Sequence, residues 1–311
     1  MSLRSINGMR EILLTGARGQ LGTELQRATW PSDVTLVAID RNDLDLTDTA
    51  AIAARVAARD WAAIINGAAY TAVDQSESDP AIAWAVNATA PAAFGKACAE
   101  AGIPLVQVST DYVFAGDKQG AWEVDDAPGP VSVYGASKLG GEMAVCASGA
   151  RHAVVRTAWV VSAHGSNFVK TMLRVAAANP TLRVVADQRG APTSAADLAS
   201  ALQTITLRLI EDTSAPTGTF HFSNAGETTW ADFAKEIFRQ SARRGGAVAE
   251  VESITTAEYP TPARRPANSL LSHRAIETAF GITPRDWKAA LADILDELIG
   301  AQTINATERH S

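Results

Sequence analysis

Short apolar runs recur along the first half of the chain, each ending in small or polar residues. Glu11 to Thr15, Val34 to Ile39, Ala63 to Asn66, Pro104 to Val108 and His152 to Arg156 read as strands. Their continuous apolar character, without alternation, is that of strands buried on both faces of a parallel sheet. The stretches between them have helical spacing: a run leaving the glycines at 16–22 and reaching about Ala28, Thr49 to Arg59, a segment opened by Asp79-Pro80, and Tyr134 to about Cys146. Asp79 offers a cap, and Pro80 a first-turn residue with no amide hydrogen to lose. Strand and helix in alternation predict an α/β fold with a doubly wound, Rossmann-type parallel sheet. Ligands of such sheets lie at the carboxyl ends of the strands.

The first run ends in Gly16-Ala17-Arg18-Gly19-Gln20-Leu21-Gly22. Strand, glycine turn, helix is the setting in which a glycine pattern signals dinucleotide binding. Gly16 permits the tight turn, Gly19 lets the backbone approach a pyrophosphate, and Gly22 lets helix and strand pack closely. The first N–H groups of that helix attract phosphate. The second run ends in Asp40-Arg41. The acid suits the ribose hydroxyls of NAD and the arginine the 2′-phosphate of NADP, so both NADH and NADPH are expected coenzymes. Asp45 and Leu46 either flank an adenine or belong to a solvated loop in which Asp48 caps the next helix. The third run leaves through Gly67-Ala68-Ala69-Tyr70-Thr71, residues small enough for a flat cofactor to approach.

The fourth run ends in Ser109-Thr110-Asp111-Tyr112-Val113-Phe114, and beyond it Tyr134 and Lys138 lie one helical turn apart on one face. A free phenol titrates near ~10, and an adjacent ammonium pulls that value down. With Thr110 holding a substrate oxygen, the set can protonate a carbonyl oxygen while hydride arrives at its carbon. Tyr-x-x-x-Lys alone is common in helices. Its weight here comes from convergence, since the glycine turn, Asp40, Ala68 to Thr71, Thr110 and Trp159 all fall at strand ends.

Beyond Thr157-Ala158-Trp159 the pattern loosens. Asn167 to Ala178, Ala195 to Ile210, Trp230 to Arg243 and Trp287 to Leu298 read as helices, and Leu182 to Ala186 and Thr219 to Ser223 as strands. Prolines stiffen a basic loop, Tyr259-Pro260-Thr261-Pro262-Ala263-Arg264-Arg265-Pro266, in which two arginines suit a diphosphate or lie solvated at the surface. Residues 10–158, rejoined by 195–223, are expected to hold the dinucleotide, and 159–194 with 224–300 the substrate. Residues 1–9 and 301–311 are expected to be flexible ends.

Composition narrows the partners. Hydrophobic residues make up 47% and charged residues 20% of the 311, the balance of a globular enzyme rather than a disordered chain. A net charge of -7 argues against nucleic acid or an anionic membrane as the main partner. No apolar run is long enough to span a bilayer, and the start of the chain lacks the apolar core of a signal peptide. Cys98 and Cys146 cannot build a disulfide framework and fit a reducing cytoplasm.

With these motifs together, the chain resembles the extended short-chain dehydrogenase/reductases, and among them the dTDP-4-dehydrorhamnose reductases. The similarity runs from Glu11 to Leu298. It is carried by Thr71-Ala72-Val73-Asp74, Thr110 to Phe114, Arg156 to Val160, Asn167-Phe168, Gln188 to Thr193 and Tyr259 to Pro266. The resemblance implies that Tyr134 donates the proton, that Lys138 lowers its pKa and holds the nicotinamide ribose, and that Thr110 binds the sugar C4 oxygen. Val73, Asp111 and Trp159 match substrate-contacting positions, and the Arg265 loop suits the diphosphate. Gly19, Gln20, Leu21, Asp40, Asp45, Leu46, Ala69, Tyr70 and Thr71 match cofactor-contacting positions. The implied reaction is hydride transfer from NAD(P)H to C4 of dTDP-4-dehydro-L-rhamnose, giving dTDP-L-rhamnose for surface polysaccharide.

Some members of the family resemble metal-bridged homodimers that use glutamates. Glu24 and Glu297 match two such positions, but the third is Ala196, with Asp197 beside it, so the match to a bridging Mg2+ is incomplete. Two other functions share the motifs: reduction of another nucleotide-linked 4-keto-6-deoxysugar, and a non-catalytic role like that of the regulatory subunit of methionine adenosyltransferase.

Overall fold

Six strands line up in parallel because helices carry the chain back across the faces of one sheet. The computed structural model describes residues 8–308, with side chains to residue 300. In chain order the elements are β1 (Arg10–Thr15), α1 (Gln20–Arg27), β2 (Val34–Ile39), α2 (Thr49–Ala57), β3 (Ala63–Asn66), α3 (Val73–Ser76), α4 (Pro80–Trp84), α5 (Ala90–Ala101), β4 (Leu105–Thr110), α6 (Val133–Ala147) and β5 (His152–Thr157). There follow β6 (Val160–Val161), α7 (Phe168–Ala176), β7 (Thr181–Val185), β8 (Arg189–Gly190), β9 (Thr193–Ser194), α8 (Ala195–Glu211), β10 (Gly218–His221), β11 (Thr228–Thr229), α9 (Trp230–Ala242), β12 (Glu250–Ile254), α10 (Arg274–Phe280) and α11 (Trp287–Glu308). Thus α11 continues into the stretch read as a flexible end. Residues 1–7 and 309–311 of the expected ends lie outside the described residues.

The sheet runs β10-β5-β4-β3-β1-β2, with every pair parallel. The chain leaves β1 toward one edge and β3 toward the other, so the crevice between their carboxyl ends is the switch point where such sheets bind ligands. Alternate side chains enter two cores. Ile12, Leu14, Ile65 and Val155 face α1 and α8 (Leu25, Leu198, Leu202, Ile205). Leu13, Ile64, Leu105 and Val154 face α2, α5 and α6 (Ile52, Phe94, Val145). Helix α8 and strand β10 therefore belong to the large sheet. A separate core gathers α7, β7, α9, β12 and α11 around Val169, Val184, Phe233, Ile237 and Leu295.

The helix starts follow local chemistry. Asp48 caps α2 by accepting from the Ala50 and Ala51 amides at 3.0 Å. Asp79 stands before α4 with Pro80 in the first turn, but makes no cap. Its carboxylate is drawn instead to the Gln75 amide at 2.8 Å and the Tyr70 hydroxyl at 3.4 Å. Among the described residues no helix is long and apolar enough to cross a membrane.

Candidate active site

A cavity of ≈ 940 Å³ opens over the switch point, lined from both sequence halves. Its floor begins at the glycine turn. Gly16 has φ +82°, a left-handed backbone that only glycine takes freely. A Cβ on Gly22 would stand 2.1 Å from the Gly16 carbonyl oxygen. Helix α1 can approach the turn only because that atom is missing, and it presents amides that no side chain caps. This is a cradle for phosphate.

Around the rim the cavity meets Gly16, Gly19, Gln20, Leu21, Gly22, Asp40, Arg41, Asp45, Leu46, Ala69, Tyr70 and Thr71. At the other end it meets Val73, Thr110, Asp111, Tyr134, Lys138 and Trp159. Every catalytic, coenzyme and substrate residue singled out in the sequence is there except Arg265, and the metal candidates Glu24 and Glu297 lie outside it. The Arg265 guanidinium forks onto Asp74, at 3.0 Å and 2.8 Å, and ties the proline-rich loop to α3. Gln20 lines the cavity, but its amide is engaged with Val160 O, Ser162 and Asn167. Asp45 folds onto the Thr47 amide and hydroxyl, which hold its carboxyl below the usual range.

The reactive corner is built where β4 ends and α6 begins. Ser132 caps α6 by accepting from the Gly135 amide at 3.2 Å, and Glu77 accepts from the Val133 amide at 2.9 Å. These contacts aim the first turn, and with it Tyr134, at Thr110. The Thr110 hydroxyl donates to Asp111 Oδ1 at 2.9 Å and accepts from the Tyr112 amide at 3.2 Å. Lys138 Nζ donates to Val108 O at 2.7 Å. One turn further on, Glu142 and Arg156 form a buried bidentate ion pair, the closest approach 2.7 Å, that locks α6 to β5. Opening such a pair on one side costs ~3–5 kcal/mol.

Burial governs the charges here. It raises the Tyr134 phenol, the Asp111 carboxylate adds to the rise, and hydrogen bonding with Thr110 opposes it. That is the reverse of the lowering expected from Lys138. The i, i+4 spacing brings the two residues to one face, but the ammonium is directed at the Val108 carbonyl, and loss of water outweighs it. Lys138 itself is pushed down to about 8 by burial, with Glu142 opposing. Burial pushes Asp111 up to about 6, against the Ser269 and Thr110 hydroxyls. The corner thus holds a protonated phenol, a carboxyl poised in the acid range and an amine poised in the basic range.

Comparison with known proteins now decides the family. The model for the RmlD substrate binding domain matches residues 9–299. The chain belongs to that family. A dTDP-4-dehydrorhamnose reductase of Sinorhizobium fredii is 45% identical over 280 residues, 89% of this chain and 94% of that protein. The crystal structure of a dTDP-4-dehydrorhamnose reductase from Clostridium acetobutylicum superposes with a TM-score of 0.86 at 38% identity, covering 93% of this chain and 99% of that one. A Bacillus anthracis dTDP-4-dehydrorhamnose reductase crystallised in complex with NADP gives the same TM-score at 34% identity, with the same coverage.

Against this family background, two residues given no role in the sequence, Arg18 and Asn87, stand out, as does the backbone of Trp159. Arg18, inside the glycine turn and 78% exposed, pairs with Asp40. A basic residue in the turn after β1 faces the acid ending β2 because the two strands are neighbours, which is a readable signal. Asn87 holds both the N–H and the carbonyl of Tyr70 and donates to Ser137 at 3.1 Å, joining the exit of β3 to α6. It sits in a π-helical turn, Ala85–Thr89, that no periodicity announces. Trp159 has φ 49°. For a bulky side chain this conformation costs ~1–3 kcal/mol and persists only when its surroundings impose it.

Proposed function

We propose that this protein reduces the C4 ketone of dTDP-4-dehydro-L-rhamnose to dTDP-L-rhamnose with NADPH or NADH. The observation that carries the reading is the meeting, in one cavity, of the Gly16–Gly22 cradle with Thr110, Tyr134 and Lys138, in a chain of this family. Residues 10–158 with 195–223 serve the coenzyme, and 159–194 with 224–300 serve the sugar nucleotide.

The glycine cradle fits a dinucleotide pyrophosphate. Asp40, Arg41 and Arg18 stand at the adenosine end, and Tyr134 and Lys138 at the nicotinamide end. When bound, the coenzyme supplies the hydride. Tyr134 keeps its proton through neutral pH, because burial and Asp111 both disfavour the phenolate, and so has it available for the C4 oxygen. Thr110 fixes that oxygen beside the phenol. Lys138, held by Val108 O, carries the positive charge that offsets the phenolate left behind. Val73, Asp111 and Trp159 wall the sugar, and Arg265 acts by fixing the loop above it through Asp74.

The residues do not fit a bridging Mg2+. Glu297 already accepts from Arg27 at 2.7 Å, and His164 stands 3.3 Å from Glu24 and 3.6 Å from Glu297. A guanidinium lies where a hard cation would need a cage of oxygens, and the third position is Ala196. We read any homodimer of this chain as metal-independent.

The test is loss of NADPH absorbance when the protein meets dTDP-4-dehydro-L-rhamnose made in situ, with the product read by NMR. Oxidation giving dTDP-L-rhamnose is expected. Folded protein that binds NADPH but leaves it unoxidised would refute the reading, and a different C4 epimer would keep the substrate but overturn the assigned product.

A further inference from the structure

Among the described residues Trp159 is the one non-glycine residue with a positive φ. Strand β5 ends at Thr157, and the chain must turn sharply to enter β6 at Val160. A turn needing φ 49° is ordinarily made by glycine or asparagine. A tryptophan there invites the question of what its side chain does, since an observed outlier is a reason to look for function.

Three contacts hold it. Trp230, the first residue of α9, stacks on it with ring centroids 3.6 Å apart and planes 15° from parallel. Phe168 backs Trp230 at 4.6 Å, so the stack is anchored in the core of the carboxyl-terminal half. Gly190 lies against the indole edge: a Cβ there would come within 2.8 Å of Cε2 and 2.9 Å of Cζ2 of Trp159. The third contact is backbone, Thr193 N–H donating to the Trp159 carbonyl at 3.1 Å. The two side-chain contacts are themselves coupled. The strand that carries Gly190 pairs with β11, which leads directly into Trp230 (Thr228 opposite Gly190, Thr229 opposite Arg189). One small ladder thus fixes both the space beside the indole edge and the ring stacked on one of its faces. The indole is left lining the cavity, next to Thr157, Ala158 and Val160.

We infer that Trp230 and Gly190 are positioning residues that hold the Trp159 indole as a rigid platform for the apolar face of the 6-deoxysugar ring. A 6-deoxy-4-ketosugar offers C–H bonds and a methyl group, which pack on an aromatic plane as they would on any apolar surface. The platform fixes the distance of the sugar from Tyr134 without a hydrogen bond of its own. The coenzyme cradle, built on β1, β2 and β3, reaches this region through Gln20, which bonds Val160 O and Asn167, but supplies none of the three contacts above.

This inference rests on the proposed reduction, and its test separates the two. Wild-type turnover reports on the reduction alone. The platform is read by comparing Trp230→Ala, Trp230→Phe and Gly190→Ala for sugar-nucleotide KM, kcat, NADPH Kd and calorimetric binding of dTDP-L-rhamnose. Binding extends the comparison to variants too slow to assay. Trp230→Ala and Gly190→Ala should raise KM about tenfold or more, the scale of one lost apolar contact in a pocket. NADPH Kd should stay within about twofold and kcat should fall less than KM rises. Trp230→Phe should restore most of the loss. Near-ultraviolet circular dichroism should show a coupled-indole signal, lost alike in Trp230→Phe and Trp159→Phe.

An unchanged sugar-nucleotide KM in Trp230→Ala, or an equal loss of NADPH affinity, would overturn the platform even if the enzyme reduces its substrate. A wild-type protein that neither reduces nor binds the sugar nucleotide would overturn both.

Discussion

Asp111→Asn should stabilise the fold increasingly as pH rises through about 6 while damaging the site. Asp111 is 2% exposed, and burial raises its carboxyl from 3.8 to about 6. A group whose folded pKa lies above its unfolded value contributes fully below the unfolded pKa. That contribution is lost as pH rises through the folded one. The window is therefore from 3.8 to about 6, and the carboxylate at neutral pH is a burden. Two units at about 1.4 kcal/mol each give ~3 kcal/mol by pH 8, roughly half of it between pH 5 and pH 8. Asparagine keeps the shape and an oxygen for the Thr110 hydroxyl, but never ionises. Urea unfolding of both proteins at unit pH steps is the assay. The variant's advantage should grow by about 1 kcal/mol from pH 5 to pH 8 and then level off. A difference that is flat across that range, or that shrinks as pH rises, would refute the claim that burial dominates Asp111. Turnover of the variant should fall, since the corner keeps this unfavourable charge where the sugar is bound.

Three further outcomes follow from the same geometry. Lys138 is pushed down to about 8, so its ammonium is present below that pH and lost above it. Turnover should fall as pH rises through about 8, and a Lys138→Met variant should lack that limb; a wild-type rate constant from pH 7 to pH 10 contradicts this. Asp40→Ala should weaken NADH more than NADPH, because it removes the acceptor for the ribose hydroxyls and frees Arg18 for a phosphate; equal losses in the two Kd values would remove that role. Light scattering and thermal melts should be unchanged by chelator or added Mg2+, since Arg27 occupies the Glu24–Glu297 site; a chelator-sensitive mass would show that a cation displaces it.

Much of the frame was legible in sequence because it rests on local pattern. Continuous apolar runs with helices between them have few folds open to them, and a glycine turn after the first run fixes the phosphate end. The boundaries of β1 and α8 differ by only a residue from those read in sequence, since burial and periodicity change sharply there. Features set by distant contacts were not legible. The pairings β6–β9, β8–β11 and β7–β12 involve short strands, two of the pairs only two residues long. The π-turn that aims Asn87 depends on α6 packing beside it. The direction of the Tyr134 shift was missed for the same reason: spacing shows that a cation is near in sequence, whereas burial depends on the whole corner. Arg265 illustrates the other limit. Two arginines between prolines suggest an anion, and one of them has its anion within the chain, in Asp74.

The central claim is that Tyr134 carries the proton delivered to the C4 oxygen. Single-turnover reduction by Tyr134→Phe, with NADPH Kd measured on the same sample, tests it most directly. Removing only the acid should lower the rate by about 10²–10⁴ while NADPH affinity stays near that of the wild type. A variant that reduces dTDP-4-dehydro-L-rhamnose at close to the wild-type rate would contradict the account, and the proton would have to come from elsewhere in the cavity.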